Sequence, residues 1–203
     1  MIDLSQSQLL GEGAHRSCYR HPNNNNQCIK ILHHVTKSEL RGIQCEMRYY
    51  RHINHYLKDW SAIPKYHGTV NTNMGIGYVF DMILDYDGTP STTLEDALKT
   101  CDSIEQANKI VALILQLKKY IRDNHILTIT MNPHNVLCKR ISKTEWIPVI
   151  CDNLGRSSLI PWSHWFTAIG DCSQQKRWEK FIKLPLVNQF LTKFNINGHA
   201  LIA

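Results

Sequence analysis

The sequence lacks any apolar run long enough to cross a membrane. Its longest run, Ile110 to Leu115, is flanked by Lys109 and Gln116 and falls well short of the roughly 20 residues that a membrane-spanning helix needs. The N-terminus also lacks the basic and apolar segments of a secretion signal. We therefore expect a cytoplasmic protein that makes no membrane contact.

Paired cysteines and a nucleic-acid-binding motif are also missing. The seven cysteines form an odd set without a Cys-x-x-Cys pair, which argues against a disulfide framework and a zinc knuckle, so we expect reduced thiols. The net charge is +6, which suits an anionic partner. The basic residues are scattered except near the C-terminus (Lys176, Arg177, Lys180 and Lys183), where we expect a solvated basic helix and not a nucleic-acid-binding patch.

What the sequence does contain indicates an α+β fold. In the first 35 residues, short β-prone segments alternate with turns at 11–13 and 21–26. Thr36 to Glu39 has capping-box spacing and precedes an amphipathic helix of about five turns. A β-hairpin around Asn73 to Gly75 follows. The pattern predicts a five-stranded antiparallel sheet with one helix over 1–87.

The second half, 88–203, reads as a reduced and mainly helical part. Capping boxes at Thr92 to Glu95 and at Asp102 to Glu105 predict two helices, the second with a long apolar stripe. Short strands follow Ile126, and a last helix is expected near the C-terminus, on the residues Trp178, Phe181, Ile182 and Leu186. We interpret Trp162, Trp165 and Trp178 as core aromatics.

Gly11 and Gly13 begin a possible phosphate-covering loop in which Arg16 stands where a third glycine would be. The flanking segments read as two strands, which fits the loop of protein kinases and not the dinucleotide-binding fingerprint. A tight turn that uses the glycines only for their conformational freedom is the alternative.

Lys30 and Glu46 are charged residues at positions that otherwise read as buried. Lys30 lies in a predicted strand, and Glu46 lies on the apolar face of the following helix. Because an unpaired buried charge is costly, we expect the two to form an ion pair. The alternative is that Lys30 extends to solvent while Glu46 sits at the edge of the stripe. Glu39 is the other candidate acid, although its capping position already explains it.

Two further segments, 128–138 and 149–155, resemble the catalytic loop and the metal-binding Asp-x-x-Gly segment of protein kinases. More narrowly, four segments resemble the YrbL-like PhoP regulatory network family of bacteria. They are Gly-x-Gly-x-His-Arg-x-Cys-Tyr-x-His-Pro from Gly11, Cys-Ile-Lys-Ile from Cys28, Leu-Lys-Asp-Trp-Ser-x-Ile-Pro-x-Tyr-His-Gly-Thr-Val from Leu57, and Ile-Pro-Val-x-Cys-Asp-Asn from Ile147.

The resemblance implies a small bilobal kinase-like fold that binds ATP and Mg²⁺, and a role in a regulatory network with a possible protein partner. It implies that Asn135 and Asp152 hold the metal, that Lys30, oriented by Glu46, binds phosphates, and that Gly11 and Gly13 let the loop approach them. The adenine hinge would comprise Asp85, Tyr86 and Asp87.

The catalytic loop departs from the kinase pattern. Thr128 replaces its histidine, Thr130 its catalytic aspartate and Asn132 its lysine. A general base contributes only about 10²–10⁴-fold, so we expect slow phosphotransfer. A catalytically inactive pseudokinase scaffold is the alternative, and an adaptor for nucleic acid or phosphoproteins is a remote third. No Ala-Pro-Glu segment follows Gly155, so we expect no usual protein-substrate platform.

Overall fold

A computed structural model describes residues 1–155, 167–198 and 201, with the backbone alone described over 167–173. Trp162 and Trp165, expected in the core, lie outside the described residues. Trp178 is buried, as expected, and its indole Nε1 donates to the Leu201 carbonyl oxygen at 2.7 Å. Among the described helices, none is both long and apolar enough to cross a bilayer.

The first half folds into a five-stranded sheet in which every pairing is antiparallel, which confirms the prediction. The spatial order is β1-β2-β3-β5-β4. The strands are β1 (Leu9–Glu12), β2 (Arg16–Arg20), β3 (Gln27–Leu32), β4 (Tyr66–Thr72) and β5 (Gly75–Asp81).

Helix α1 (Lys37–Ile53) begins at the predicted capping box. The Thr36 hydroxyl accepts a hydrogen bond from the Glu39 backbone N–H at 3.2 Å, and the Glu39 carboxylate accepts one from the Thr36 N–H at 3.2 Å. Glu39 is thereby assigned to the cap, as the sequence indicated. The opposite face of α1 is buried and includes Glu46.

Two predicted features of the second half are corrected. The helix caps lie one residue later than expected: Thr93 accepts from the Asp96 N–H at 3.0 Å, and Ser103 accepts from the Gln106 N–H at 3.3 Å. The expected last helix is two helices, and the second begins at Pro185. Proline has no backbone N–H to donate within a continuous helix, so it is suited to the first position of a new one.

The regular elements described in this half are a three-stranded sheet, four α-helices and one 3-10 turn. The sheet order is β6-β7-β8. The elements are β6 (Thr92–Thr93), α2 (Leu94–Thr100), α3 (Ile104–Asp123), a 3-10 turn (Pro133–Asn135), β7 (Val136–Arg140), β8 (Trp146–Ile150), α4 (Thr167–Ile182) and α5 (Pro185–Lys193).

One hydrophobic core runs from the five-stranded sheet through α1 to α3 and β8. Tyr49 of α1 adds a polar contact within it. Its hydroxyl accepts a hydrogen bond from the Leu127 N–H at 2.7 Å, and the Leu127 carbonyl accepts one from the Gly155 N–H at 2.8 Å. Gly155 has φ +97°, and a Cβ there would lie 2.9 Å from the Tyr49 Cβ. Helix α1 thus holds the segments on both sides of the β7–β8 hairpin.

Candidate functional site

Four charged side chains from distant parts of the chain meet between the two sheets. They are Arg16 of β2, Lys30 of β3, Glu46 of α1 and Asp152, which follows β8. Their side chains are 5–27% exposed. Two positive and two negative charges make this four-charge cluster neutral, which is the condition under which charges tolerate burial.

Lys30 contacts the end of β8. Its Nζ donates to the Cys151 carbonyl oxygen at 2.5 Å, lies 3.9 Å from Asp152 Oδ1 and sits over the Phe80 ring at 4.8 Å from the ring centroid. Burial, the largest influence, lowers the pKa of Lys30, but Asp152, Cys151 and Glu46 together outweigh it and raise that pKa above the ordinary lysine value. Lys30 therefore carries a fixed positive charge directed at the second sheet.

Glu46 forms its ion pair with Arg16, whereas the sequence predicted a pair with Lys30. Arg16 Nη1 donates to Glu46 Oε2 at 2.6 Å, and Nη2 donates to Asp152 Oδ1. Among the ion pairs of the described residues, Glu46 has Arg16 and not Lys30 as its partner. The forked guanidinium reaches both carboxylates at once, which the single ammonium of lysine cannot do. The expected Lys30–Glu46 pair is thus corrected.

Glu46 is one of the most buried charged residues, with 4% exposure. Its second oxygen, Oε1, is buried without a hydrogen-bond partner in the described structure, as is the hydroxyl of Tyr50 one turn later. Burial raises the pKa of Glu46, and the positive charge of Arg16 opposes this shift. The site therefore holds an incompletely satisfied carboxylate that depends on Arg16.

Asp152 and Asn135 lie at neighbouring strand ends. The Cys151 N–H donates to the Asn135 carbonyl at 2.9 Å, which places Asn135 at the start of β7 beside the end of β8. Asp152 Oδ1 also accepts from the Asn153 N–H at 2.9 Å. Burial raises the pKa of Asp152, but Lys30 and Arg16 outweigh it and leave the pKa below the ordinary aspartate value.

These two residues suit a magnesium ion in their donor chemistry. Both offer side-chain oxygens, the ligand atoms that Mg²⁺ prefers. Mg²⁺ keeps several waters and takes few protein ligands. The donor atoms of these two residues therefore fit the metal that the kinase resemblance implies.

The loop that follows Ile126, which resembles the kinase catalytic loop in sequence, has no carboxylate at its centre. Thr130 is exposed, and its hydroxyl accepts from Asn153 Nδ2 at 3.0 Å and lies 3.5 Å from Asn132 Nδ2. Thr128 is fully buried and accepts from Gln174 Nε2 at 2.8 Å. Thr130 and Asn132 are therefore close together and oriented by hydrogen bonds, but neither can take a proton near neutral pH.

The glycine loop forms a tight turn between β1 and β2. The Gly13 N–H donates to the Arg16 carbonyl at 2.9 Å, which closes the turn. No atom lies within 4 Å of where a Cβ on Gly11 would be. The space beside Gly11 is therefore open, and the turn sets the start of the strand that carries Arg16.

The predicted hinge residues form a second ionic cluster with Arg140 of β7. Asp85 is buried and accepts from Arg140 Nε at 2.5 Å, and Asp87 accepts from Arg140 Nη2 at 2.8 Å. The Tyr86 N–H donates to the Arg140 carbonyl at 2.9 Å. These contacts fasten the segment to the second sheet, while its contact with adenine stays a prediction.

Sequence reasoning missed the part that Arg16 plays in the site. The signal was present, because a charged residue stands where a phosphate-covering loop would have its third glycine. The contribution of the Cys151 carbonyl carried no such signal, since any residue supplies a backbone oxygen.

Comparison with known proteins supports the resemblance noted from the sequence. The family described as PhoP regulatory network protein YrbL matches residues 2–185. The Escherichia coli (strain K12) protein YrbL is 45% identical over 193 residues, which cover 95% of this chain and 92% of that protein. The Shigella flexneri protein YrbL gives the same values.

Proposed function

This chain belongs to the family of the PhoP regulatory network protein YrbL, and on this basis we propose that it is a regulatory protein that binds Mg-ATP and transfers phosphate slowly. The observation that carries the proposal is the position of Lys30. Its ammonium contacts the segment that holds Asp152, although the bonded residues are 121 positions apart. Such a lysine beside two oxygen ligands is the arrangement that binds a metal-bound polyphosphate.

The proposal includes a kinase-like fold, with 1–87 as the first lobe and 88–203 as the second. Three features support it: the five-stranded antiparallel sheet, the single helix that follows β3 and carries Glu46, and the β7–β8 hairpin flanked by Asn135 and Asp152. They occur in the chain order that the kinase motifs require.

Each residue of the site has a proposed task. Lys30 binds the α- and β-phosphates, and the open space beside Gly11 admits them below the glycine loop. Asn135 and Asp152 hold the metal through their side-chain oxygens. Magnesium, when bound, neutralises phosphate charge. Transfer is slow because Thr130 cannot act as a general base, which removes a factor of about 10²–10⁴.

A nucleotide-binding scaffold without phosphotransfer is the second candidate. The hydrogen bonds that hold Thr130 favour it, because they make this loop well ordered without supplying a proton acceptor. A regulatory partner would then respond to nucleotide occupancy. The two candidates share the binding site and differ only in chemistry.

Thermal denaturation with and without Mg-ATP tests binding. A ligand at 100 times its Kd stabilises the folded state by about 2.7 kcal/mol, which is roughly 5–10 °C for a chain of this size. Asp152→Ala should remove the magnesium dependence, and Lys30→Met should weaken binding. Lys99→Met, which removes an exposed lysine from α2, is the matched control and should bind normally. No shift at millimolar Mg-ATP would contradict the proposal.

Transfer of labelled phosphate from ATP to proteins of a bacterial lysate separates the two candidates. A slow enzyme should lose its product signal with Asp152→Ala and keep most of it with Thr130→Ala. Thr130→Asp should raise turnover, by up to the roughly 10²–10⁴-fold that a base supplies. Identical background in wild type, Thr130→Asp and Asp152→Ala would leave the scaffold as the function.

A further inference from the structure

The guanidinium of Arg16 donates to one oxygen of the Asp152 carboxylate, the group proposed to hold a metal ion. Asp152 Oδ1 accepts a hydrogen bond from Arg16 Nη2 and lies 3.9 Å from Lys30 Nζ. Glu46 Oε2 accepts from the other terminal nitrogen of Arg16 at 2.6 Å. A metal bound through Asp152 Oδ1 would have to displace Arg16, and one bound through the other oxygen of the same carboxylate would lie beside the Arg16 and Lys30 cations.

Charge balance makes a bare divalent cation a poor competitor for Arg16. The four-charge cluster is already neutral, and its arginine and lysine would both repel an incoming cation. A divalent cation bound to Asp152 would leave the Arg16 side chain, which is 16% exposed, with Glu46 as its remaining counter-ion, and it would add two positive charges to a neutral cluster. Uncompensated charge in a largely buried position is strongly unfavourable.

A metal-bound polyphosphate avoids this excess of positive charge, because its phosphate oxygens replace the carboxylate that Arg16 releases. The planar, five-donor guanidinium suits bidentate contact with phosphate oxygens. Arg16 also lies at the start of β2, beside the Gly13 turn, in the loop proposed to cover the phosphates. Its side chain therefore has a second anionic partner within the same site.

We propose that Arg16 is a specificity-determining residue, which excludes free divalent cations from Asp152 and exchanges its carboxylate partners for phosphate oxygens when a metal-bound polyphosphate enters. The proposal rests on the nucleotide-binding function above. It makes metal and nucleotide binding mutually dependent, and such coupling is reciprocal by thermodynamic necessity.

Calorimetric titration with Mn²⁺ alone, with ATP alone and with both measures this coupling directly. In Arg16→Gln, Mn²⁺ alone should bind about tenfold more tightly and ATP alone about tenfold more weakly, within the roughly 5–150-fold typical of coupled sites. The increase in Mn²⁺ affinity caused by ATP should fall correspondingly. A loss of general structural integrity would weaken both ligands and could not strengthen one of them.

Two further variants control the experiment. Arg20→Gln removes an arginine from the same strand that makes no ion pair with Glu46 or Asp152 in the described part of the chain, and it should behave as wild type. Arg16→Lys retains the charge but loses the fork that joins the two carboxylates. It should still raise the affinity for Mn²⁺ alone several-fold, which keeps the test decisive if the glutamine variant does not fold.

The outcomes separate this inference from the function on which it rests. If wild-type protein binds Mn-ATP while both Arg16 variants keep the wild-type affinities for Mn²⁺ alone and ATP alone, the exchange is wrong and nucleotide binding stands. If neither wild type nor any variant binds ATP or Mn²⁺, the proposed function itself fails. Tighter Mn²⁺ binding by both Arg16 variants, with wild-type behaviour of Arg20→Gln, supports the exchange.

Discussion

Replacing Arg16 with methionine should destabilise the folded protein, because it leaves two largely buried carboxylates facing a single lysine. Removing one partner of a buried ion pair typically costs about 3–5 kcal/mol. Asp152 is 27% exposed and keeps Lys30 at 3.9 Å, so solvent and lysine relieve part of its charge. We therefore expect a loss near the lower limit, about 3 kcal/mol.

A second substitution, Glu46→Gln, should recover most of that loss. The pair Lys30 and Asp152 then remains with balanced charge, so the double variant should lie about 1 kcal/mol below wild type and about 2 kcal/mol above Arg16→Met. The double variant still lacks the hydrogen bond that Glu46 Oε2 accepts from Arg16 at 2.6 Å, which accounts for the remainder.

The loss should also depend on pH with a defined sign. Burial already raises the pKa of Glu46 above its ordinary 4.5, and removal of Arg16 raises it further. The folded variant then binds more protons than the unfolded chain, so its stability decreases as the pH rises above 4.5. The deficit of Arg16→Met should be smaller at pH 5 than at pH 8, and Glu46→Gln should abolish that difference.

Urea unfolding at both pH values, followed by tryptophan fluorescence, measures these free energies. Lys99→Met, which breaks an exposed pair with Glu95, is the surface control and should leave stability close to wild type. The reasoning is refuted if Arg16→Met stays within about 0.5 kcal/mol of wild type at pH 8, or if the two substitutions are simply additive.

Two further predictions concern backbone strain and thiols. Gly155→Ala should lower the free energy of unfolding by about 1–3 kcal/mol, because φ is +97° and the new Cβ would lie 2.9 Å from Tyr49 Cβ. Gly42→Ala, at an exposed site in α1 with no atom within 4 Å of the new Cβ, should instead stabilise by about 0.5–1 kcal/mol. The same urea unfolding experiment measures both changes. When the protein is purified without reductant and then denatured, a thiol-alkylating reagent should modify all seven cysteines, because the described cysteines are free thiols. Mass spectrometry that found a stoichiometric intramolecular disulfide would overturn this prediction.

The sequence predicted the elements that carry the site because local patterns determine them. Helical periodicity put Glu46 on the buried face of α1, and the Thr36 capping box located the start of that helix. The partner of Glu46 was not predictable, because it depends on distances between β2, β3 and α1. Two cations, Arg16 and Lys30, compete for it, and only the folded geometry decides between them.

Local patterns were insufficient where two neighbouring residues could each cap the same helix. Thr92 and Thr93 are both good capping residues, and an acidic residue stands three positions after each. The sequence therefore did not show which of the two threonines is the N-cap of α2. The hinge residues were assigned by resemblance alone. Their engagement by Arg140, which follows them by more than 50 residues, had no local signal.

The contact between Tyr49 and the Leu127 N–H has a consequence for local unfolding. Leu127 is in turn bonded to Gly155, and Gly155 packs against the same tyrosine. Tyr49 of α1 therefore contacts both the segment that ends at Thr130 and the segment that begins at Asp152. A helix displacement that frees one of them frees the other, so the three form a single cooperative unit and open together in subglobal fluctuations.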